Sequence, residues 1–338
     1  MNKVQASTPA LERLLALSLQ QRDNPLDLQA ACRLFNGFSE GLPALAIDRY
    51  ADTLVIHDFS KNAVFPNDLI ETIITTMRKF KQPFHSVLLK QRFSPELERH
   101  RGTLIMGETC ADQVREGNTF HAIDLRLNRD CSLYLDSAGL RQWLMDHSAE
   151  KTVLNTFAYT GSYGTAALAG GAKQVVQTDL NANFFQLFER SLELNGFPAE
   201  KSRFIAGDFF RVSSALRRER CLFDLVILDP PFFSKTNSGV VDQLARGFAL
   251  VNKIRPLVAD GGKIVFVNNA LFLSGREFMQ QIEQFLADDY LTIGERIDVP
   301  ESFFGRTAAA VYPADPAPFN HPTKIILLEI TRKDGRKS

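Results

Sequence analysis

The chain has 338 residues, and its 39 basic and 39 acidic side chains cancel. That balance excludes a global basic field for polyanions, so any nucleic-acid face has to be local. There is no apolar run of the ~18 residues that a membrane span needs, and no basic segment followed by an apolar core as in a secretory signal. The four cysteines, Cys32, Cys110, Cys131 and Cys221, lack metal-like pairing and fit free thiols in a reducing cytoplasm. No metal site is expected. The length allows two domains.

Residues 1–30 read as an N-terminal helical segment: Thr8-Pro9 is a cap and first-turn pair, and Leu11, Leu14, Leu15 and Leu19 form one apolar stripe. Residues 31–127 read as a small α+β domain. Strands are expected at 44–50, 53–59, 86–90, 103–106 and 119–126, with a helix at 67–80. Asp48-Arg49 reads as a hairpin ion pair. His57, His85, His100 and His121 are too far apart for a metal site and are expected at strand edges or in solvent. Arg78, Lys79, Lys81, Lys90, Arg92, Arg99 and Arg101 give this domain a local basic bias, either phosphate-binding or plain solvated surface.

Residues 128–338 alternate strand and helix. Val153-Leu-Asn155 ends a buried strand, Gly161 and Gly164 mark a tight turn, and Thr165-Ala-Ala-Leu-Ala169 continues as helix. Ligands of open α/β sheets bind at this kind of crevice, and glycine lets backbone approach them. Strands ending in Asp179, Asp208 and Asp229 follow, so four polar positions (Asn155 included) line one rim, as a nucleoside pocket requires. An acid about 20 positions after the glycine turn is the usual partner of ribose hydroxyls. That assigns Asp179 to ribose, with Gly161 allowing close approach. A helix near 240–259, a strand at 262–268, a helix at 275–286 and strands near 290–298 and 323–331 complete this domain. Residues 312–322 are a proline-dense loop and 332–338 a frayed tail.

Asn-x-Phe-x-Tyr-Thr-Gly at 155–161, Thr-Asp-Leu-Asn at 178–181, Gly-Asp-Phe-Phe at 207–210 and Asp-Pro-Pro-x-Phe at 229–233 resemble the class I S-adenosylmethionine-dependent methyltransferases. The subgroup is that of the bacterial large-subunit ribosomal RNA methyltransferases, including the cytosine-C5 enzymes. The resemblance runs from about residue 30 onward, through Cys32-Arg-Leu-Phe-Asn-Gly-Phe-Ser-Glu40. It implies a Rossmann-like α/β domain with a mostly parallel seven-stranded sheet and S-adenosyl-L-methionine as cofactor. It also implies a cytoplasmic enzyme acting on ribosomal RNA. Many relatives begin with a PUA-type RNA-binding domain; none is expected here. The matching motif positions assign Asn155, Phe157, Tyr159, Thr160, Gly161, Asp179, Leu180, Asp208 and Phe209 to the cofactor, and the resemblance implies that Asp208 lies near the adenine amino group. The partly matching lead-in adds Tyr134, Asp136 and Arg141. There Asp130-Cys131-Ser132 replaces the relatives' Lys-Thr-Gly, and Ser137-Ala138 replaces Gln-Arg.

Cytosine C5 is a poor nucleophile, so C5 enzymes first add a cysteine thiolate to the ring. Relatives carry that cysteine in a turn after the fifth strand. This chain has Val267-Asn268-Asn269-Ala270 there, similar to the guanine-N7 members, whose ring nitrogen needs no covalent catalyst. In amino-methyltransferases an acid, two prolines and an aromatic hold an exocyclic amine and stack the base. Asp229, Pro230, Pro231 and Phe232, with Asn268, are therefore the expected catalytic set, and the acceptor atom is expected to be nitrogen. Phe232 and Phe233 either stack on the base or pack against the small domain. Cys221 is expected at the opposite end of the sheet, and Cys131 is the thiol that could approach the pocket. The alternatives are a methyltransferase-like nucleic-acid-binding protein without activity and a methyltransferase for a non-RNA acceptor. A Rossmann oxidoreductase needs a tighter glycine signature than Phe157-Ala-Tyr-Thr-Gly161.

Overall fold

In the computed structural model, residues 7–22, 27–61, 65–244, 247–284, 286, 290–305 and 312–338 are described. The chain divides into two compact units, residues 1–135 with 300–311 and residues 136–299 with 312–338. The division falls eight residues after the expected boundary at 127/128. The lead-in explains this: Cys131, Leu133 and Leu135 are buried with Tyr50, Val55, Leu88 and Val114 in a core of the first unit.

The first unit contains α1 (Thr8–Gln21), β1 (Ala31–Asn36), α2 (Gly37–Glu40), β2 (Leu45–Tyr50), β3 (Thr53–Asp58) and α3 (Asn67–Lys79). Then come β4 (Ser86–Gln91), α4 (Leu97–Arg101), β5 (Thr103–Met106) and the ribbon β6 (Gln113–Glu116) and β7 (Thr119–Ala122). Strands β1 to β5 form one sheet in sequence order, antiparallel except for the parallel pair β3 and β4. Leu11, Leu15 and Leu19 of α1 and Leu69, Ile73 and Met77 of α3 bury their stripes in a shared core with β1 to β4. Helical spacing of these leucines is what puts them on one face.

Three expectations in this unit are corrected. Asp48 does not pair with Arg49, because neighbours on a strand point to opposite faces. Asp48 instead binds Arg33 of β1 at 2.7 and 3.0 Å and His57 of β3 at 3.0 Å, while Arg49 donates to the Asp27 and Ala51 carbonyls. His57, His100 and His121 are buried, and of the four only His85 is exposed. The basic cluster is partly internal. Lys90 is fully buried, donates to the carbonyls of Arg101, Leu125 and Asn128, and burial holds its ammonium below the usual lysine range. Arg92 pairs with Asp130, so the acid that replaces the relatives' lysine carries its own counter-ion.

The second unit opens with α5 (Ala138–His147), β8 (Thr152–Thr156), α6 (Ser162–Ala169), β9 (Gln174–Asp179), α7 (Phe185–Asn195), β10 (Ser202–Ala206) and α8 (Phe209–Arg218). It continues with β11 (Phe223–Leu228), β12 (Phe233–Thr236), β13 (Gly239–Asp242), α9 (Gly247–Ile254), β14 (Val258–Asn268), α10 (Gly275–Glu283) and β15 (Leu291–Ile297). Helix α11 (Glu301–Phe304) returns to the first unit, and β16 (Lys324–Ile330) closes the sheet. The strand order is β10-β9-β8-β11-β14-β16-β15, with the first five parallel and β16 antiparallel to both neighbours. The two sides of this sheet are buried in separate apolar clusters, one around Leu154, Phe248 and Phe278 and one around Val153, Trp143 and Phe188.

The expected helix at 240–259 is shorter than that. Phe233–Thr236 and Gly239–Asp242 pair as a hairpin, and the helix begins at Gly247. Alternating burial along Phe-Ser-Lys-Thr is a strand period, not a helical one. The tail is not frayed either: Arg332 donates to Asp334 at 2.7 and 2.9 Å, and Lys337 and Ser338 bind Asp260 and Asp224. Among the described residues no helix is long and apolar enough to cross a membrane.

Candidate active site

Parallel pairing sets Thr156, Thr178 and Leu228 level across β8, β9 and β11, so the residues that follow them share one rim. The sheet reverses its order of growth between β8 and β11, where open α/β sheets leave a crevice for ligand. The rim carries Phe157, Asp179 and Asp229, and Asp208 follows β10 beside them.

Asp179 organises the turn after β8. Its carboxylate accepts from the Tyr159 backbone N–H at 2.8 Å and from Asn181 N–H at 3.0 Å. Phe157 and Tyr159 sit at φ +55 and +50, a left-handed conformation that bulky residues adopt only when their surroundings impose it. Phe157 stacks on Phe209 at 4.8 Å and Tyr159 meets Phe184 edge-on at 4.6 Å. A carboxylate has about four acceptor sites, so Asp179 keeps capacity for two hydroxyls. Leu180 is 65% exposed beside it. Thr160 is buried beneath the turn.

Gly161 has a different role from the one its sequence context suggests. It lies at φ +80, but a Cβ there would come within 2.7 Å of Phe188 and 2.8 Å of Gln177. The close approach is therefore to the protein's own interior. Gly164 is pressed against Gln177 in the same way. Asn155, expected on the rim, is fully buried and donates to Gln177 at 2.7 Å. It supports the turn from below. Asp208 also serves the framework. It caps α8 by accepting from Phe210 and Arg211 N–H at 3.0 and 3.2 Å, and it takes the Thr236 hydroxyl at 2.6 Å.

The part of the rim expected to face the acceptor centres on Asp229. Burial raises its carboxyl; donation from the Tyr163 hydroxyl at 2.9 Å opposes this, the nearby Asp136 adds to it, and Asn269 Nδ2 at 3.1 Å opposes it again. The result is a pKa pushed up to about 6. Tyr163 also lies 3.0 Å from the Ser137 hydroxyl. Tyrosine has one proton and an ionised carboxylate only accepts, so the order is Ser137 to Tyr163 to Asp229. Pro230 is buried, Pro231 is exposed, and Phe232 and Phe233 are 48% and 58% exposed. Asp136 accepts from the Thr323 hydroxyl at 3.1 Å, and Arg141 is fully buried in α5. Tyr134 belongs to the first unit, where its hydroxyl meets Asp130 at 3.3 Å.

Asn268, expected to be catalytic, is fully buried: its amide donates to the Gln243 carbonyl and accepts from Ala270 N–H. Its neighbour Asn269, the first residue past the end of β14, is the one that reaches Asp229. Sequence reasoning also missed Gln243. It is buried, donates to the Pro230 carbonyl and accepts from Asn269 N–H at 2.6 Å, and so ties the end of β11 to the end of β14. Only its place in the unforeseen hairpin could have pointed to it. Tyr163 had a signal, as the aromatic residue in the glycine turn. Lys324 is buried, donates to the Ala270 and Pro322 carbonyls, and is lowered by burial to about 8. Among the described residues no three His, Cys, Asp or Glu side chains could hold a metal.

Known proteins resemble the chain along most of its length. The model of a family described as S-adenosylmethionine-dependent methyltransferase matches residues 69–314. The chain is 31% identical over 295 residues to the protein named ribosomal RNA large subunit methyltransferase I of Aeromonas hydrophila subsp. hydrophila, covering 86% of this chain and 73% of that one. It is 28% identical to the protein of the same name from Vibrio cholerae serotype O1, covering 84% and 71%. A solved methyltransferase complexed with SAH superposes with a TM-score of 0.82 at 22% identity, over 97% of this chain and 83% of that chain. A methyltransferase structure from Streptococcus mutans gives 0.80 at the same identity and coverage.

Proposed function

Because this chain belongs to the S-adenosylmethionine-dependent methyltransferase family, we propose that it methylates a base of large-subunit ribosomal RNA at a nitrogen atom. The donor supplies an electrophilic methyl group on a sulfonium. The residues present fit it: Asp179 retains acceptor sites for ribose hydroxyls, and Phe157 and Phe209 are aromatic faces beside it. Tyr159, Thr160, Gly161 and Leu180 shape the turn, and Asp136 and Arg141 stand at the start of α5. Asp208 contributes through the cap of α8.

On the acceptor side, Asp229 accepts an N–H of the target base. Tyr163 and Asn269 fill the carboxylate's other sites and fix its plane. The donor, held by Asp179 and the neighbouring aromatic rings, would supply the methyl carbon that the acceptor nitrogen attacks. Where the acceptor carries an N–H, Asp229 takes the proton. Positioning of this kind supplies much of the acceleration in a displacement. Phe232 stacks on the base once it leaves its helix.

The observation that supports nitrogen over cytosine C5 is the state of the thiols. The end of β14 carries Asn268 and Asn269 and no cysteine. Burial pushes Cys131 up to about 12 and Cys32 up to about 11, and it raises Cys110 and Cys221. A buried neutral thiol is a poor nucleophile. The RNA reading is supported by the names of the relatives.

The test is methyl transfer from labelled donor to under-methylated large-subunit RNA, with nucleoside mass spectrometry of the product. The expected product is a base methylated on nitrogen. RNA containing 5-fluorocytosine should give no stable protein adduct, and an adduct abolished in Cys131→Ser would overturn the nitrogen reading. Donor turnover with no RNA product would overturn the RNA reading.

A further inference from the structure

The end of the second unit opposite Asp229 holds a cavity of about 230 Å³, lined by Arg217, Arg220, Arg332 and Arg336 together with Cys221 and Pro256. In a chain whose charges cancel, four guanidinium groups on one small concavity are a local concentration. Its position follows from the topology. Arg217 is in the last turn of α8, Arg220 in the turn after it, and β11 then runs from Phe223 to Leu228 before Asp229. Six strand residues span roughly 20 Å, so the cavity and the acceptor carboxylate lie at opposite ends of one strand.

Arginines near a helix C-terminus have an ordinary explanation, as they complement the helix dipole. That explanation covers Arg217 but not Arg332 and Arg336. These two come from the last residues of the chain, which fold back and are fastened there. Arg332 donates to the Pro256 and Val258 carbonyls at 3.1 and 3.0 Å, and its backbone N–H binds Asp260 at 2.9 Å. Asp334 sits between the two guanidiniums, bound by Arg332 on both oxygens and by Arg336 at 2.8 Å. Asp334 is the acid that offsets this pair. Neither Arg217 nor Arg220 has an acidic side-chain partner among the described residues.

We propose that this cavity is a phosphate-binding site, which holds the backbone of the RNA substrate at a point remote from the base being methylated. The chemistry is that of guanidinium with phosphate: planar paired donors match two phosphate oxygens, and the arginine charge is permanent. The site rests on the reading that the acceptor is RNA. A phosphate held here and a base held at Asp229 require an RNA long enough to reach both. A short oligonucleotide that seats its target base at Asp229 does not reach the cavity, so the site favours extended or structured RNA over fragments.

The test uses the full chain and Arg217→Gln/Arg220→Gln, which leaves Arg332 and Arg336 to hold the tail. Unchanged S-adenosylmethionine affinity serves as the folding control. RNA affinity is measured against salt for a large-subunit RNA fragment and for a short oligonucleotide carrying the unmethylated target base. Each phosphate contact contributes roughly 0.7 to 0.9 to the slope of log affinity against log salt. The double variant should lose roughly 0.7 to 0.9 of that slope, the worth of one phosphate contact, and about tenfold in affinity on the long RNA, with no change on the short one. Cys221 lines the cavity and reports on it directly: long RNA should slow its alkylation, read by peptide mass spectrometry, and the short oligonucleotide should not. Equal slope and affinity for variant and parent, with Cys221 unprotected, would overturn the proposal even if the parent methylates RNA normally. Protection of Cys221 by millimolar inorganic phosphate but not by RNA would overturn it in favour of a free anion. These are binding measurements, so failure of methyl transfer to RNA bears on the proposed function and leaves this test to be read separately.

Discussion

Asp48 in the first unit and Asp229 in the second are both carboxylates largely removed from water, and they end in opposite states. Burial alone would raise both. At Asp48 the guanidinium of Arg33 and the ring of His57 outweigh it and hold the carboxyl well below the usual range. At Asp229 the partners are a phenol and an amide, and the carboxyl stands at about 6. The charge of the partner, more than depth, decides whether a buried acid is a structural ion or a group poised to exchange a proton. Asp48 is locked. Asp229 titrates near neutrality, where a proton acceptor is most useful.

The largest expected effect comes from disabling Asp229, proposed above to take the acceptor's proton. Asp229→Asn should lower methyl transfer by roughly 100- to 10,000-fold, because the amide cannot take a proton. The same variant should keep or gain stability. The folded pKa of Asp229 is raised, so the parent loses stability as pH rises from about 4, the unfolded value, to about 6. Removing the ionisation should make the variant more stable than the parent above that window, by on the order of 2 kcal/mol, measured by urea unfolding at several pH values. Lower stability at pH 8 would sink this assignment of Asp229.

Asp48→Asn should show the opposite pattern, a loss of about 3–5 kcal/mol, because Arg33 is left without its counter-charge and the buried, neutral His57 ring without its hydrogen-bond partner. The Asp48 carboxyl is depressed, so its contribution is present above about pH 4 and fades as pH falls through the folded value. The gap between variant and parent should therefore close in acid. Once the lower stability is allowed for, donor affinity should be unchanged.

Asp179→Ala should weaken S-adenosylmethionine binding by roughly ten- to a hundredfold, the worth of one or two charge-assisted hydrogen bonds, with calorimetry as the measurement. Phe232→Ala should cost about 1–3 kcal/mol of base stacking in kcat/KM for RNA and leave donor affinity alone. An unfolded Phe232→Ala protein would show that the ring is packing material. The smallest effect bears most directly on what sets Asp229 apart from Asp48. Tyr163→Phe removes a donor that holds Asp229 down, so the acidic limb of the rate–pH profile should move up by about one pH unit. A purely structural loss would lower the rate equally at every pH.

Much of the second unit was legible because its order is carried by local signals. Short apolar runs ending in Asp179, Asp208 and Asp229 alternate with helical stretches, and that alternation implies a parallel sheet. Several roles were not legible because they depend on which way a side chain faces. Asn268 and Asn269 are neighbours, but the strand ends between them, leaving Asn268 a buried bracket and Asn269 a partner of Asp229. Gly161 reads as a ligand turn, yet Phe188 and Gln177 fill the space its missing Cβ leaves. Asn155 looks like a rim residue until Gln177, on the next strand, is seen to claim it. In the first unit, Asp48-Arg49 reads as a pair, but adjacency along a strand is not adjacency in space. The true partners of Asp48 lie on β1 and β3.

The path of the chain also sets a timetable. The first unit lacks α11 until residues 301–304 have been made, long after the rest of it has left the ribosome. Strand β15 has no neighbour in the sheet until β16 arrives to sit between it and β14. At ~5–20 residues per second, α11 follows the end of the first unit's main segment by tens of seconds at the slow end. Until β16 arrives, β14 and β15 each present an unpaired strand edge, which is a template for wrong pairing. The seven-stranded sheet is therefore completed only when its last strand in sequence, β16, is inserted between two strands made before it.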